Sequence, residues 1–192
     1  MKQIRIAGWS LLLLALTACQ VVSAEGEQEL VKPKQLSVNE RELLNTITDY
    51  GIWIDVGPLD QSKQVTIGMD YYIDGERVEE GFEMVPDSKS EIESILIALN
   101  INGENNDQLD GIVQVNDDGG MARIDFNRSL ETFNYTSSEG SELQADGVLL
   151  NQDEKTYIGS FQMGDQITPV ELEDIESTKG PGHLLAFYIK YE

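Results

Sequence analysis

From residue 50 onward, apolar positions come in short runs separated by turn chemistry. Ile52-Trp53-Ile54-Asp55-Val56 is an apolar run closed by Gly57-Pro58. Residues 65–73 are rich in β-branched and aromatic side chains and lead into Asp74-Gly75. That pair suits a two-residue hairpin turn, whose central positions need positive φ. Residues 77–85 then return, with Val78, Phe82 and Met84 as the apolar positions. Residues 90–101 fit two periods. Ile92, Ile95, Leu96 and Leu99 sit at helical spacing, yet 95–101 is a continuous apolar run of strand length. The flanking segments both read as antiparallel β, which favours the strand.

The same alternation continues. Residues 112–115 and 121–126 flank the turn Asn116-Asp117-Asp118-Gly119-Gly120. Residues 132–136 suit a strand, and 147–150 and 156–163 flank Asn151-Gln152-Asp153-Glu154. Residues 169–175 alternate Val170, Leu172 and Ile175 with acids, Gly180-Pro181-Gly182 breaks the chain, and 184–191 reads as a final strand. Before all of these, Ser37 with Glu40 three residues on fits a helix capping box. Leu43, Leu44 and Ile47 follow at helical spacing, so a short helix is expected over 38–48, ended by Gly51. Short strands at such spacing, with no βαβ alternation and no fixed repeat, predict a mainly β fold. The expected architecture is an antiparallel β-sandwich, immunoglobulin-like or jelly-roll-like, with one short N-terminal helix.

The N-terminus follows a different pattern. Lys2 and Arg5 form a positive start, residues 6–16 form an apolar stretch, and Leu16-Thr17-Ala18-Cys19 follows at once. The apolar stretch is shorter than the roughly 20 residues needed to span a bilayer. It has the three-part form of a signal peptide. Leu16-Thr17-Ala18-Cys19 resembles the lipobox of bacterial lipoproteins in all four positions. The resemblance covers only this leader. It implies cleavage between Ala18 and Cys19 and a diacylglyceryl thioether on the Cys19 thiol, with fatty acyl chains such as palmitate holding the protein to the membrane. Two acyl chains give stable attachment where one is marginal. The alternative is an ordinary secretory signal cut after Val22-Ser23-Ala24, leaving a freely exported domain.

The expected organisation is therefore a lipoprotein signal peptide over 1–18, a flexible acidic tether over 19–36 and one β-sandwich domain over 37–192. Glu25-Gly26-Glu27-Gln28-Glu29 and Lys32-Pro33-Lys34 are the polar and proline-bearing features behind the tether. Cys19 is the only cysteine among 192 residues, so no disulfide forms within the chain. The 35 acids face 13 bases, two of them in the leader, for a formal charge of −22. That balance argues against nucleic-acid binding and against electrostatic docking on anionic lipid. The expected membrane link is the lipid on Cys19 alone.

Candidate chemistry in the rest of the chain is sparse. His183 is the only histidine, which excludes multi-histidine metal sites. It reads as a turn residue at the mouth of the last strand. Glycine spacings fit neither a phosphate loop nor a dinucleotide fingerprint. Asn106, Gln108, Asp110, Gly111 and Asp117 partly echo a calcium loop but lack its early acids and its bidentate glutamate. They read better as a solvated turn. Aromatics, among them Trp53, Tyr71, Tyr72, Tyr157 and Tyr188, are spread over the expected strands as core or as a binding platform. Adjacent Tyr71 and Tyr72 must point to opposite faces of a strand, which makes one of them a candidate for exposure. No catalytic residue, metal site or cofactor is assigned. The functional expectation is a lipid-anchored extracytoplasmic binding or scaffold domain at the bacterial envelope, with an envelope protein or a carbohydrate as partner. A carbohydrate- or solute-binding module is the second expectation, and an envelope hydrolase using acidic residues the third.

Overall fold

A computed structural model describes residues 30–86, 91–102, 108–130, 137–165, 167, 169–177 and 182–192. The chain is mainly β, with two antiparallel sheets packed as a sandwich. The first sheet, sheet A, contains β1 (Leu30–Pro33), β2 (Tyr50–Val56), β5 (Ile92–Asn102), β6 (Gln108–Asp117), β7 (Gly120–Ser129) and β9 (Val148–Leu149). Its order is β7-β6-β5-β2-β1-β9. The second, sheet B, contains β3 (Val65–Ile73), β4 (Glu76–Met84), β8 (Ser137–Glu142), β10 (Lys155–Gly164) and β11 (His183–Tyr191), ordered β4-β3-β11-β10-β8. Among the described residues sheet A begins at Leu30, and β11, the latest strand in sequence, lies in the middle of sheet B.

The main core lies between the sheets. Ile52, Ile54, Ile95, Ile97, Leu109, Val113 and Val115 of sheet A meet Ile67, Met69, Phe161, Leu185, Phe187 and Ile189 of sheet B. Burial alternates strictly along β2 and along much of β6, so one face of sheet A is core and the other meets solvent. The hairpin of β3 and β4 turns at Asp74 and Gly75, both with positive φ (52° and 78°), as the sequence predicts. Residues 90–101 resolve as the strand β5, paired on one side with β2 and on the other with β6.

The helix α1 (Val38–Ile47) starts with the expected capping box. Glu40 N–H donates to Ser37 Oγ at 3.3 Å, and Ser37 N–H donates to the Glu40 carboxylate at 2.8 Å. The helix ends at Thr48 rather than through Gly51. Gly51 belongs to β2, where a Cβ would approach Leu44 and Thr48 to within 2.9 Å. Its missing side chain therefore lets the helix sit on the sheet. The tether expectation also needs correction: Leu30–Pro33 is a strand, paired with β2 and β9, and Val31 is fully buried. Proline at its end costs no internal ladder bond. Residues 19–29, and the expected strand over 132–136, lie outside the described residues. The alternating segment 169–175 forms no strand; Leu172–Ser177 is a 3₁₀ helix lying over sheet B.

Candidate functional site

The central strands of sheet B, β3, β11 and β10, are buried on both faces. The outer face of the sheet carries a small apolar cluster of Tyr72, Val170, Ile175, Leu184 and Ala186, with Tyr157 and Leu172 packed against it. Beside this cluster lies the most concentrated polar chemistry among the described residues. It is centred on Asp70 of β3, which is 2 % exposed.

An acid buried this deeply must be paired, and two strands, β4 and β10, supply the partners. Lys155 Nζ from β10 donates to both carboxylate oxygens, at 2.7 and 2.9 Å. The Arg77 guanidinium from β4 donates at 2.5 Å and the Tyr157 hydroxyl at 2.9 Å. The ring of Tyr188 from β11 lies 4.1 Å beneath the Lys155 ammonium, and its hydroxyl donates to Glu83 at 2.8 Å. Gly68 makes room for that ring, since a Cβ there would sit 2.4 Å from it.

A β-bulge builds the site. In β10, Phe161 and Met163 face the core, and with an unbroken period of two Tyr157 and Lys155 would do the same. The register of β10 against β11 shifts between Tyr157 and Gly159, with Ile158 as the extra residue. An extra residue reverses the alternation. Ile158 is buried in the core, and Tyr157 and Lys155 turn outward onto Asp70. A second register shift, between β3 and β4, falls between Met69 and Tyr71, directly at Asp70. There Gly81 lets β4 approach the Met69 carbonyl more closely than any Cβ would allow.

The tyrosines of the cluster hold their protons strongly. Burial pushes the Tyr157 phenol up, and its hydrogen bonds with Tyr72 and Asp70 add to this. Burial pushes Tyr188 and Tyr72 up as well. They act as neutral hydrogen-bonding groups around two cations and one carboxylate. Lys155 and Tyr157 also form the end wall of an open groove of about 1260 Å³. Its other walls are the segment 141–149 and the segment 169–177. Glu142, Asp146, Glu154, Glu171, Glu173, Asp174 and Glu176 line it, and Lys155 is its only base among the described residues. Since Lys155 is committed to Asp70, the groove presents negative charge to solvent.

The residues singled out in the sequence fall elsewhere. Ala18 and Cys19 lie outside the described residues. Tyr71 and Tyr72 do point to opposite faces, but both are buried, at 3 % and 6 % exposure. Tyr71 enters the core, and Tyr72 is covered by the 169–177 segment, so neither is an exposed platform. His183 is no turn residue: it opens β11, is 2 % exposed, and its Nδ1 is hydrogen-bonded to the Tyr71 hydroxyl. Burial lowers its pKa below the usual 6.5. Gln108, Asp110, Gly111 and Asp117 all lie in β6. Extended backbone spreads them along the strand instead of wrapping them round an ion. Asp110 is satisfied by amide donors from Asn102 at 2.6 Å and Asn127 at 2.5 Å. Among the described residues, no group of three or more acids, histidines or cysteines is placed to hold a metal ion.

Sequence reasoning missed Asp70 itself. A lone acid inside the apolar run Ile67-Gly68-Met69-Asp70-Tyr71-Tyr72-Ile73 was the available signal. Comparison with known families covers the described sandwich. The YgaN domain family matches residues 30–188. The chain belongs to the YgaN domain family. The matched YgaN region opens at the first residue of β1 and ends inside β11, and so takes in both sheets and every residue of the Asp70 cluster. No curated protein matches the chain. No solved structure matches it.

Proposed function

We propose that the protein is a lipid-anchored extracytoplasmic β-sandwich that serves as a binding or scaffold module of the bacterial cell envelope. The observation that carries this reading is Leu16-Thr17-Ala18-Cys19 directly after an apolar leader. Only residues 20–29 separate Cys19 from the first strand. At about 3.3–3.6 Å per extended residue they hold the sandwich within a few nanometres of the lipid. The lipid supplies the membrane attachment, since the acidic surface does not favour anionic headgroups.

The test is the mass of the N-terminal peptide from a membrane fraction, with Cys19→Ala alongside. A diacylated or triacylated Cys19, and loss of membrane association in the variant, is the expected result. An unmodified N-terminus at Glu25 would sink the proposal and make the protein a secreted domain.

The groove beside Asp70 favours a second reading, a solute-binding module. Its seven acids and single aromatic residue, Tyr157, suit a cationic ligand better than a neutral sugar, which would stack on several exposed rings. Calorimetric titration with spermidine and, separately, with a neutral disaccharide checks this. Heat with spermidine that disappears in a Glu171→Gln, Glu173→Gln variant supports the cationic ligand. Silence with both probes removes the groove reading.

A further inference from the structure

Sheet edges offer unpaired backbone groups, and natural proteins usually blunt them. Three of the four edges here are blunted. β9 has only two residues. β8 is the short polar run Ser137-Ser138-Glu139-Gly140-Ser141-Glu142. β4 is broken by its bulge and carries the exposed acids Glu76 and Glu83. The fourth edge, β7, is different. Its ten residues pair with β6 from end to end with no register shift. They include no proline and no lysine, and among the described residues no strand pairs with the outer side.

The sequence of this edge is complementary to itself. Ala122-Arg123-Ile124-Asp125-Phe126 reads, about Ile124, as small against large and positive against negative. Arg123 and Asp125 share the solvent face, with side chains 44 % and 64 % exposed. Ala122, Ile124 and Phe126 share the core-side face and are half-buried.

We propose that β7 is a homodimerisation edge, pairing antiparallel with β7 of a second copy about a two-fold axis at Ile124, so that the two copies of sheet A join into one continuous sheet. Arg123 then lies opposite the partner subunit's Asp125, and Asp125 opposite the partner subunit's Arg123. Ala122 faces the partner's Phe126, where its small side chain leaves room for the ring. Opposite charges placed directly across an antiparallel pair stabilise it, and like charges destabilise it. In the single chain Arg123 already binds Asp125 of its own strand, at 2.5 and 3.0 Å. Pairing turns two such ion pairs into a square of alternating sign. Moving the axis by one residue, to Arg123 or to Asp125, sets like charges against each other, so the charge pattern selects one register. A two-fold axis makes the contact isologous and closed, which limits assembly to a dimer. The large negative charge of each copy opposes association at long range, but at physiological salt the screening length is about 8 Å.

The test uses the full chain in a Cys19→Ala background, which removes the native thiol from parent and variants alike, with Ile124→Cys under mild oxidation. Residues directly opposite in an antiparallel pair have Cα atoms about 4.5–5.5 Å apart, within disulfide reach. A covalent dimer is expected, with none for the parent chain or for Ile112→Cys on the neighbouring strand. Added to Ile124→Cys, Arg123→Asp places like charges opposite each other at two symmetric positions and should cut the cross-linking rate about tenfold. Adding Asp125→Arg to that variant should restore it. Light scattering on the parent chain gives a measure that needs no cysteine, and a mass of two chains is expected. A mass of one chain, no cross-link at Ile124→Cys, or equal cross-linking in the single and double charge variants overturns the proposal. The first two results would be expected if β7 instead took an extended segment of another protein.

Discussion

The two sheets solve the same problem in different ways. Sheet A buries one face and exposes the other, so its strands alternate; β2 runs buried, half-buried, buried throughout. Sheet B buries both faces at its centre, where β3, β10 and β11 show almost continuous burial. A sheet covered on one side tolerates charge on the other at no cost, as Arg123 and Asp125 show. A sheet covered on both sides must satisfy each polar group internally. Asp70, Lys155, Arg77 and Tyr157 are the result. Polar groups are therefore optional on sheet A and mutually dependent on sheet B.

Mutations can break this contrast. Ile175 of the 3₁₀ segment is fully buried against sheet B, so Ile175→Ala should cost about 3 kcal/mol, as for other buried truncations. Ile112→Ala, on the half-exposed outer face of sheet A, should cost less than half as much. Urea unfolding of both variants makes the comparison, and equal losses would show that the 169–177 segment adds little cover.

Lys155→Met leaves the Asp70 carboxylate with Arg77 and Tyr157 alone. The expected loss is about 2–3 kcal/mol, at or just below the range for broken buried ion pairs, because Lys155 keeps some exposure. Adding Asp70→Leu should return much of it, since an apolar pair in a buried site often serves as well. If the double variant is no better than Lys155→Met, the network has a packing role beyond its charges. On sheet A, Arg123→Ala should leave the unfolding midpoint of the monomer unchanged.

Ser37→Ala removes the cap of α1 and should cost about 1 kcal/mol. The effect should stay local, because Leu44 is the only buried residue of that helix. Amide exchange confined to 38–47 is the expected pattern.

The smallest effect is one of pH. Burial depresses the folded-state pKa of His183 below 6.5. The unfolded chain then takes up a proton as pH falls through about 6.5 while the folded chain does not, so stability is complete above that pH and declines below it. Unfolding midpoints at pH 7.5 and 5.5 should differ more for the parent chain than for His183→Gln. A parallel decline in both would assign the effect to other groups.

The same contrast decides how much the sequence disclosed. Strands β2, β6 and β7 of sheet A and the β3–β4 hairpin were legible because alternation and turn pairs such as Asp74-Gly75 are local signals. The capping pair Ser37 and Glu40 was legible for the same reason. β8 was not, because Ser137–Glu142 contains no apolar residue and becomes a strand only by pairing with β10. β1 was hidden by its four-residue length and by Pro33. The Asp70 cluster needed two facts that no local pattern holds: which bases reach the acid, and that one extra residue at Ile158 turns Lys155 and Tyr157 outward. Tyr72 was misjudged as a candidate for exposure because its cover comes from a segment about a hundred residues later.

The place of β11 has a consequence for how the chain is made. Sheet B has at its centre β11, the latest in sequence of the described strands, paired with β3 on one side and β10 on the other. His183 meets Ile73 and Tyr191 meets Val65 across most of the chain, the kind of distant pairing that slows folding. The hairpins β5–β6–β7 can form while the rest is still emerging, but β3 and β10 have no bridge between them until residues 183–191 arrive. Until then Asp70 and the inner faces of half a sheet stay open to whatever chaperones or proteases work where the chain folds.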